Sequence, residues 1–304
     1  MATLREIKRR IVGVRSTAKI TQAMKMVAAA KLRRAQDSII AARPYSRALE
    51  VLLKDLLSNV DPESIQSPLL FGRPVTPANE RVLLIIITSD RGLAGAFNAG
   101  LIRFAEARIR DTYSEHLRTN RLSMITVGRR GTDYFSKRNY NIIEKFVGIF
   151  SKLDFETARE LRRLAVDQFS RGDFDRVELV YNEFKSVISQ KPSADNLLPI
   201  LESNKDDHGG TASYHPEKDY IYEPSPAHLL EGLTPKHLDT MIWKALLESN
   251  AAEQGARMTA MDSATKNAKD LVNSLQLQYN KARQAAITKE ILEIVGGAEA
   301  LAKQ

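Results

Sequence analysis

The chain has 304 residues, enough for about two domains, and its 43% apolar and 27% charged composition is that of an ordinary globular protein. It has no cysteine, which excludes a disulfide scaffold, thiolate zinc and iron–sulfur ligation, and a cysteine nucleophile. The net charge of +8 is concentrated at one end: residues 1–58 carry 13 Lys and Arg against 4 acids, net +9, residues 59–224 are net −1, and residues 225–304 are neutral.

All 11 prolines lie between Pro44 and Pro235, so both ends of the chain are free to be helical. Leu4, Ile7, Ile11, Val14 and Ala18 recur in steps of three and four. After a break in phase the pattern resumes at Met24, Val27, Ala35, Ile39 and Ala42, and continues through Tyr45, Leu49, Leu52 and Leu56. This spacing predicts a coiled-coil helix over 1–59, with Pro44 as an uncertain point. The start of the chain is basic from Arg5 but lacks the apolar core of a secretory signal, and Glu6 argues against a transit peptide. No acid occurs from Ile7 to Gln36, so the face bearing Arg9, Arg10, Arg15, Lys19, Lys25, Lys31, Arg33 and Arg34 suggests an acidic partner. A protein is favoured over nucleic acid, because no aromatic side chains interleave these charges and no DNA-binding module surrounds them.

The middle, 75–226, alternates strand and helix signals. Strands are predicted at 81–88, 122–127, 141–147 and 177–184, with helices at 98–110, 131–138 and 155–171. The first strand, continuously apolar from Val82 to Ile87, reads as buried on both faces. This order implies an open, mostly parallel α/β domain of Rossmann-like type. Residues 205–216 read as a polar loop and 220–224 as an edge strand.

The C-terminal helix is predicted over 234–304, with Thr234-Pro235 as its cap and first turn. Leu238, Met241, Ala245, Ala252, Ala256 and Thr259 share one face, then Leu271, Leu275, Gln278, Ala282, Ala285 and Leu292. This seam of small residues lets helices approach closely but buries little area per turn. Gly296-Gly297 are read as the helix cap. The two ends can therefore pair as an antiparallel two-helix coiled coil flanking the α/β domain.

Chemistry-bearing motifs are sparse. Ser89 to Asn98 lies between a strand and a helix, where a phosphate loop would sit, but it lacks Gly-x-Gly-x-x-Gly, and the P-loop pattern is absent. It reads as a structural turn. Gly128-Arg129-Arg130-Gly131 could meet an anion but reads better as a solvated turn. The histidines at 116, 208, 215, 228 and 237 lack zinc spacing, and no nucleophile elbow occurs. No catalytic residue, metal or cofactor is expected.

Three segments carry a family resemblance. Ile20 to Lys31, ITQAMKMVAAAK, resembles the N-terminal helix of the gamma subunit of F-type ATP synthase. Ser89 to Gly95, SDRGLAG, resembles that family's first β–α loop, and Asn280 to Ala285 with Ile287 to Ala298, ITKEILEIVGGA, its C-terminal signature. The resemblance implies a rotary central stalk whose terminal helices coil inside a ring of three alpha and three beta subunits. Its α/β domain would lie near the epsilon subunit and the membrane rotor ring of c subunits, and ion flux would drive ATP synthesis or hydrolysis at beta-subunit sites. It implies no nucleotide site on the chain itself and no nucleic-acid partner. By position in the matching motifs, Met24, Lys25, Gln284, Thr288 and Glu290 would contact the ring, with Arg257 placed there on weaker local similarity. The chloroplast-type redox insertion, which needs two cysteines, is excluded. A bacterial protein peripheral to the cytoplasmic face of the cell membrane is favoured, with the matrix side of the mitochondrial inner membrane as the alternative. Two readings stand against the shaft: a stand-alone nucleotide-dependent enzyme using the α/β domain, and a coiled-coil nucleic-acid binder.

Overall fold

The computed structural model describes residues 3–58, 67–76, 79–201, 222–223 and 225–302. The chain divides into two compact units, Met1–Ala29 with Arg257–Gln304, and Ala30–Ala256. The elements in order are α1 (Leu4–Ser58), α2 (Pro68–Phe71), β1 (Val82–Ile87), α3 (Phe97–Thr112), α4 (Ser114–Arg118), β2 (Leu122–Val127), α5 (Arg129–Ser136), β3 (Ile142–Phe146), α6 (Phe155–Arg171), β4 (Arg176–Phe184), β5 (Gln190–Leu198) and α7 (Pro226–Ala302).

The larger unit is built on a five-stranded sheet of order β3-β2-β1-β4-β5. The first four strands are parallel, with Ile85 opposite Ile125 on one side and Leu179 on the other, and β5 closes the edge antiparallel to β4. Side chains alternate between the faces along each strand. Leu83, Ile85 and Ile87 point into a core with Leu161, Ala165 and Phe169 of α6, Leu53 and Leu56 of α1, and Leu238 and Ile242 of α7. Val82, Leu84 and Ile86 meet Leu101, Ala105 and Ile109 of α3 and Phe135 of α5. All six β1 side chains are fully buried, each contributing roughly 1.5–3 kcal/mol of gross burial energy.

The predicted strands and the major helices of this unit are present, within two residues at each end. The antiparallel edge strand β5 was not expected. Its sequence QKPSADNLL is polar and contains Pro192, a residue tolerated on a sheet edge, so it carries no strand signal. The 205–216 loop lies outside the described residues, and of the 220–224 segment only 222 and 223 are described.

Both terminal helices are present, but three expectations about them change. Helix α1 runs through Pro44 to Ser58. Helix α7 begins at Pro226, not at Thr234-Pro235. A cap residue followed by proline also occurs nine residues earlier, and Ser225-Pro226 is the start: the His228 N–H donates to Ser225 Oγ at 3.3 Å. Pro235 is interior, because Leu230 and Leu238 on either side are buried in the same core and hold the helix together across it. At the other end α7 continues to Ala302, so Gly296-Gly297 do not cap it. No helix among the described residues is long and apolar enough to cross a membrane.

Candidate interaction surface of the paired terminal helices

In the smaller unit α1 and α7 run antiparallel. Thr21 Oγ1 and Thr265 Oγ1 share a buried hydrogen bond at 2.7 Å, Lys25 Nζ meets Asp262 Oδ1 at 2.6 Å, and Ile7 and Ile11 pack with Val272 and Leu275. As numbers rise on one helix they fall on the other. On α7 the buried residues Met261, Thr265, Ala268, Val272 and Leu275 step by four and three, as do Ile7, Ile11, Val14, Ala18 and Thr21 on α1.

The break in phase read into α1 is absent. Thr21 continues the seam and Ala28 is buried, whereas Val27, expected inside, is 57% exposed. The seam residue at this point is a polar threonine, invisible to an apolar pattern. Likewise Val272, not Leu271, faces inward, and Thr259, Gln278, Ala285 and Leu292 are exposed.

The six expected contact residues fall in two groups. Met24 is half-buried and Lys25 pairs with Asp262 near the end of the unit where Arg257 enters it, Arg257 being half-buried. The Lys25–Asp262 side chains are 41% and 64% exposed, so solvent screens this pair and it contributes little to stability. Its ammonium holds the Asp262 carboxyl below the usual carboxylate range. Asp262 was not anticipated; the signal was its place opposite Lys25 once the antiparallel register is known. Gln284, Thr288 and Glu290 form the second group, all exposed, with Thr288 Oγ1 donating to the Gln284 carbonyl at 2.9 Å. The register that sets Ile11 near Leu275 runs out of α1 at about this point. Beyond it Ile287, Ile291, Leu292, Ile294 and Val295 are all about half-exposed or more, an apolar surface on one free helix.

The C-terminal edge of the parallel sheet is where a phosphate would bind in such a fold. Here the chain fills the position itself. The Asp90 carboxylate accepts the N–H groups of Arg129, the first residue of α5, at 3.1 Å and of Gly148 at 2.8 Å. Ser89 and Asn98 bond each other, and Thr88 Oγ1 accepts the Gly131 N–H at 2.8 Å. Gly128 has φ +88°, and a Cβ there would lie 2.3 Å from the Thr88 carbonyl oxygen. Both motifs singled out as turns are therefore packing devices, with the N–H groups of Arg129, Arg130 and Gly131 satisfied by Asp90, Ser89 and Thr88. No cluster of three or more His, Asp or Glu able to hold a metal occurs among the described residues. His208 and His215 lie outside them.

The family model described as ATP synthase matches residues 3–301. The ATP synthase gamma chain of Chloroherpeton thalassium is 53% identical over 307 residues, covering 99% of each chain, and that of Chlorobium phaeobacteroides is 50% identical over 301 residues, covering 99% of each. This chain belongs to the ATP synthase gamma-chain family. The function expected from the sequence resemblance, a gamma subunit of F-type ATP synthase, holds, and with it the two-helix-plus-α/β architecture. The same fold occurs in solved structures. A chain of the Euglena gracilis mitochondrial ATP synthase (OSCP/F1/c-ring) aligns with TM-score 0.66 at 21% identity, covering 98% of this chain and 94% of that one. A chain of the Tetrahymena thermophila mitochondrial ATP synthase central stalk/c-ring aligns with TM-score 0.59 at 24% identity, covering 81% and 99%.

Proposed function

We propose that this chain is the central rotary shaft of its ATP synthase, turning inside a head of three alpha and three beta subunits. It would rest on the epsilon subunit and the membrane rotor ring of c subunits, and carry no catalytic residue of its own. The reading is carried by a family match that runs along the whole chain, so that the paired helices and the α/β unit are parts of one device. The exposed apolar face from Ile287 to Val295 supports it, because a surrounding protein sleeve removes that surface from water. Segments 1–59 and 234–304, with 226–233 added to the second, serve as the shaft, and 75–226 as the foot. Met24, Lys25 and Arg257 form one set of ring contacts, and Gln284, Thr288 and Glu290 the other. Association with the membrane is peripheral, through the complex. The bacterial relatives favour its cytoplasmic face.

Co-expression with alpha and beta subunits tests this: the chain should co-purify in a 1:3:3 ratio and support ATP hydrolysis, while the isolated chain hydrolyses none. Gln284→Leu should leave the isolated chain folded. It leaves a ring partner unpaired at a cost of about 1–3 kcal/mol, so turnover falls about tenfold for every 1.4 kcal/mol added to the limiting step. Hydrolysis by the isolated chain overturns the shaft, and normal turnover with normal assembly removes Gln284 from the contacts.

A further inference from the structure

Within the larger unit, α1, α7 and the end of β4 line a cavity of about 350 Å³ that opens to solvent. Ile39, Ala42 and Leu247 make part of its wall apolar. Arg43 and Arg47, one helical turn apart and so on one face of α1, line it together with Lys244 of α7. All three cations are exposed, and none makes a hydrogen bond or ion pair with any described residue. Of the three carboxylates that also line the cavity, two are already matched. Glu50 accepts from Lys54 at 2.8 Å, and Glu183 from Lys185.

The third, Glu248, is 7% exposed, and its Oε2 has no hydrogen-bond partner. Burial pushes the Glu248 carboxyl above the usual range. Glu183 and Asp195 of the neighbouring strands push the same way, against Lys244 and Arg43. A carboxyl that keeps its proton is an O–H donor. The cavity therefore offers two guanidinium groups and one ammonium, joined by an O–H donor whenever Glu248 holds its proton, while Glu50 and Glu183 each accept from a lysine. Two guanidinium groups and an ammonium lining one space suit an oxyanion, for which paired guanidinium groups have the matching geometry.

We propose that this cavity binds a single oxyanion group, a carboxylate or a phosphate, clamped by Arg43, Arg47 and Lys244 and closed on its inner side by Glu248. The inference goes beyond the shaft reading and rests on the cavity alone. Two sources can supply the group: an acidic side chain of a partner protein, or free inorganic phosphate. For a carboxylate ligand, already ionised above about pH 6, binding weakens as pH rises, because an ionised Glu248 would face the anion with like charge.

The probe is built in. Trp243 lines the cavity and is the one tryptophan of the chain. Its fluorescence is followed at constant ionic strength while the full chain is titrated with inorganic phosphate, and separately with a capped hexaglutamate peptide. A saturable change is expected, weakened at least about tenfold by Arg43→Gln with Arg47→Gln, the loss of charge-assisted hydrogen bonds to the ligand. Circular dichroism checks folding, and Arg47→Gln alone is the milder variant. Glu248→Gln keeps a neutral donor and should abolish the fall in peptide affinity with pH. Tighter binding of the peptide assigns a partner's acidic side chain, and equal or tighter binding of phosphate assigns the free ion. A Trp243 signal that neither ligand changes, or a change that survives loss of both arginines, overturns the proposal. Because assembly with alpha and beta subunits is measured separately, failure here leaves the shaft reading standing.

Discussion

Replacing Glu178 by glutamine tests the buried ion pair that ties strand β4 to helix α3. Glu178 is 2% exposed, in the middle of the sheet. Its two carboxylate oxygens accept from Arg108 Nε and Nη2, each at 2.7 Å, and the Tyr113 hydroxyl donates to Oε1. The pairing is mutual: the carboxylate raises the affinity of Arg108 for its proton, and burial, reinforced by Glu178, raises that of the Tyr113 hydroxyl. Breaking a buried pair costs about 3–5 kcal/mol because one charge stays behind uncompensated. The Arg108 side chain is 34% exposed, so the stranded guanidinium can partly rehydrate, and we expect the low end, about 3 kcal/mol. For a unit of this size that lowers the melting temperature by about 6–12 °C. Trp243, which stacks edge-on with Phe155, reports the melting of this unit by fluorescence. Removing both charges together, Arg108→Met with Glu178→Leu, should cost far less than the two single changes summed, since no charge is then stranded. A loss below about 1 kcal/mol for Glu178→Gln, or additive single effects, would show that the pair does not hold the sheet to α3.

Two further outcomes follow from local geometry. Gly128→Ala sets a Cβ 2.3 Å from the Thr88 carbonyl oxygen at φ +88°, so it should cost more than about 3 kcal/mol, seen as loss of the cooperative melt or of soluble protein; a mild effect would mean that the β1 and β2 ends can part. Asp154 caps α6, accepting the Thr157 N–H at 3.0 Å, and this bond holds its carboxyl below the usual range. A carboxyl depressed on folding stabilises above its unfolded pKa of about 4 and loses that contribution as pH falls through the lower folded value. Asp154→Ala should therefore lower the melting temperature at pH 7 and have a shrinking effect toward pH 2–3, and an equal effect at both would refute the cap as an ionised acceptor.

What the sequence determined was whatever depends on local pattern. The absence of proline from both ends made long helices unavoidable, and the run from Val82 to Ile87 could only be a strand buried on two faces. The motifs ITQAMKMVAAAK, SDRGLAG and ITKEILEIVGGA, in this order along the chain, carried the family resemblance. The tertiary structure decided everything that depends on a partner far along the chain. Ser225-Pro226 rather than Thr234-Pro235 starts α7, because only the burial of Leu230 and Leu238 in one core carries the helix across Pro235. Thr21 belongs to the coiled-coil seam because Thr265, 244 residues away, satisfies its hydroxyl, and β5 is a strand because β4 offers an edge to a polar segment that has no strand pattern of its own. The cavity around Glu248 was hidden for the same reason. Arg43, Lys244 and Glu183 lie on separate elements, each ordinary in its own stretch of sequence, and only the packing of α1 and α7 beside β4 turns them into neighbours.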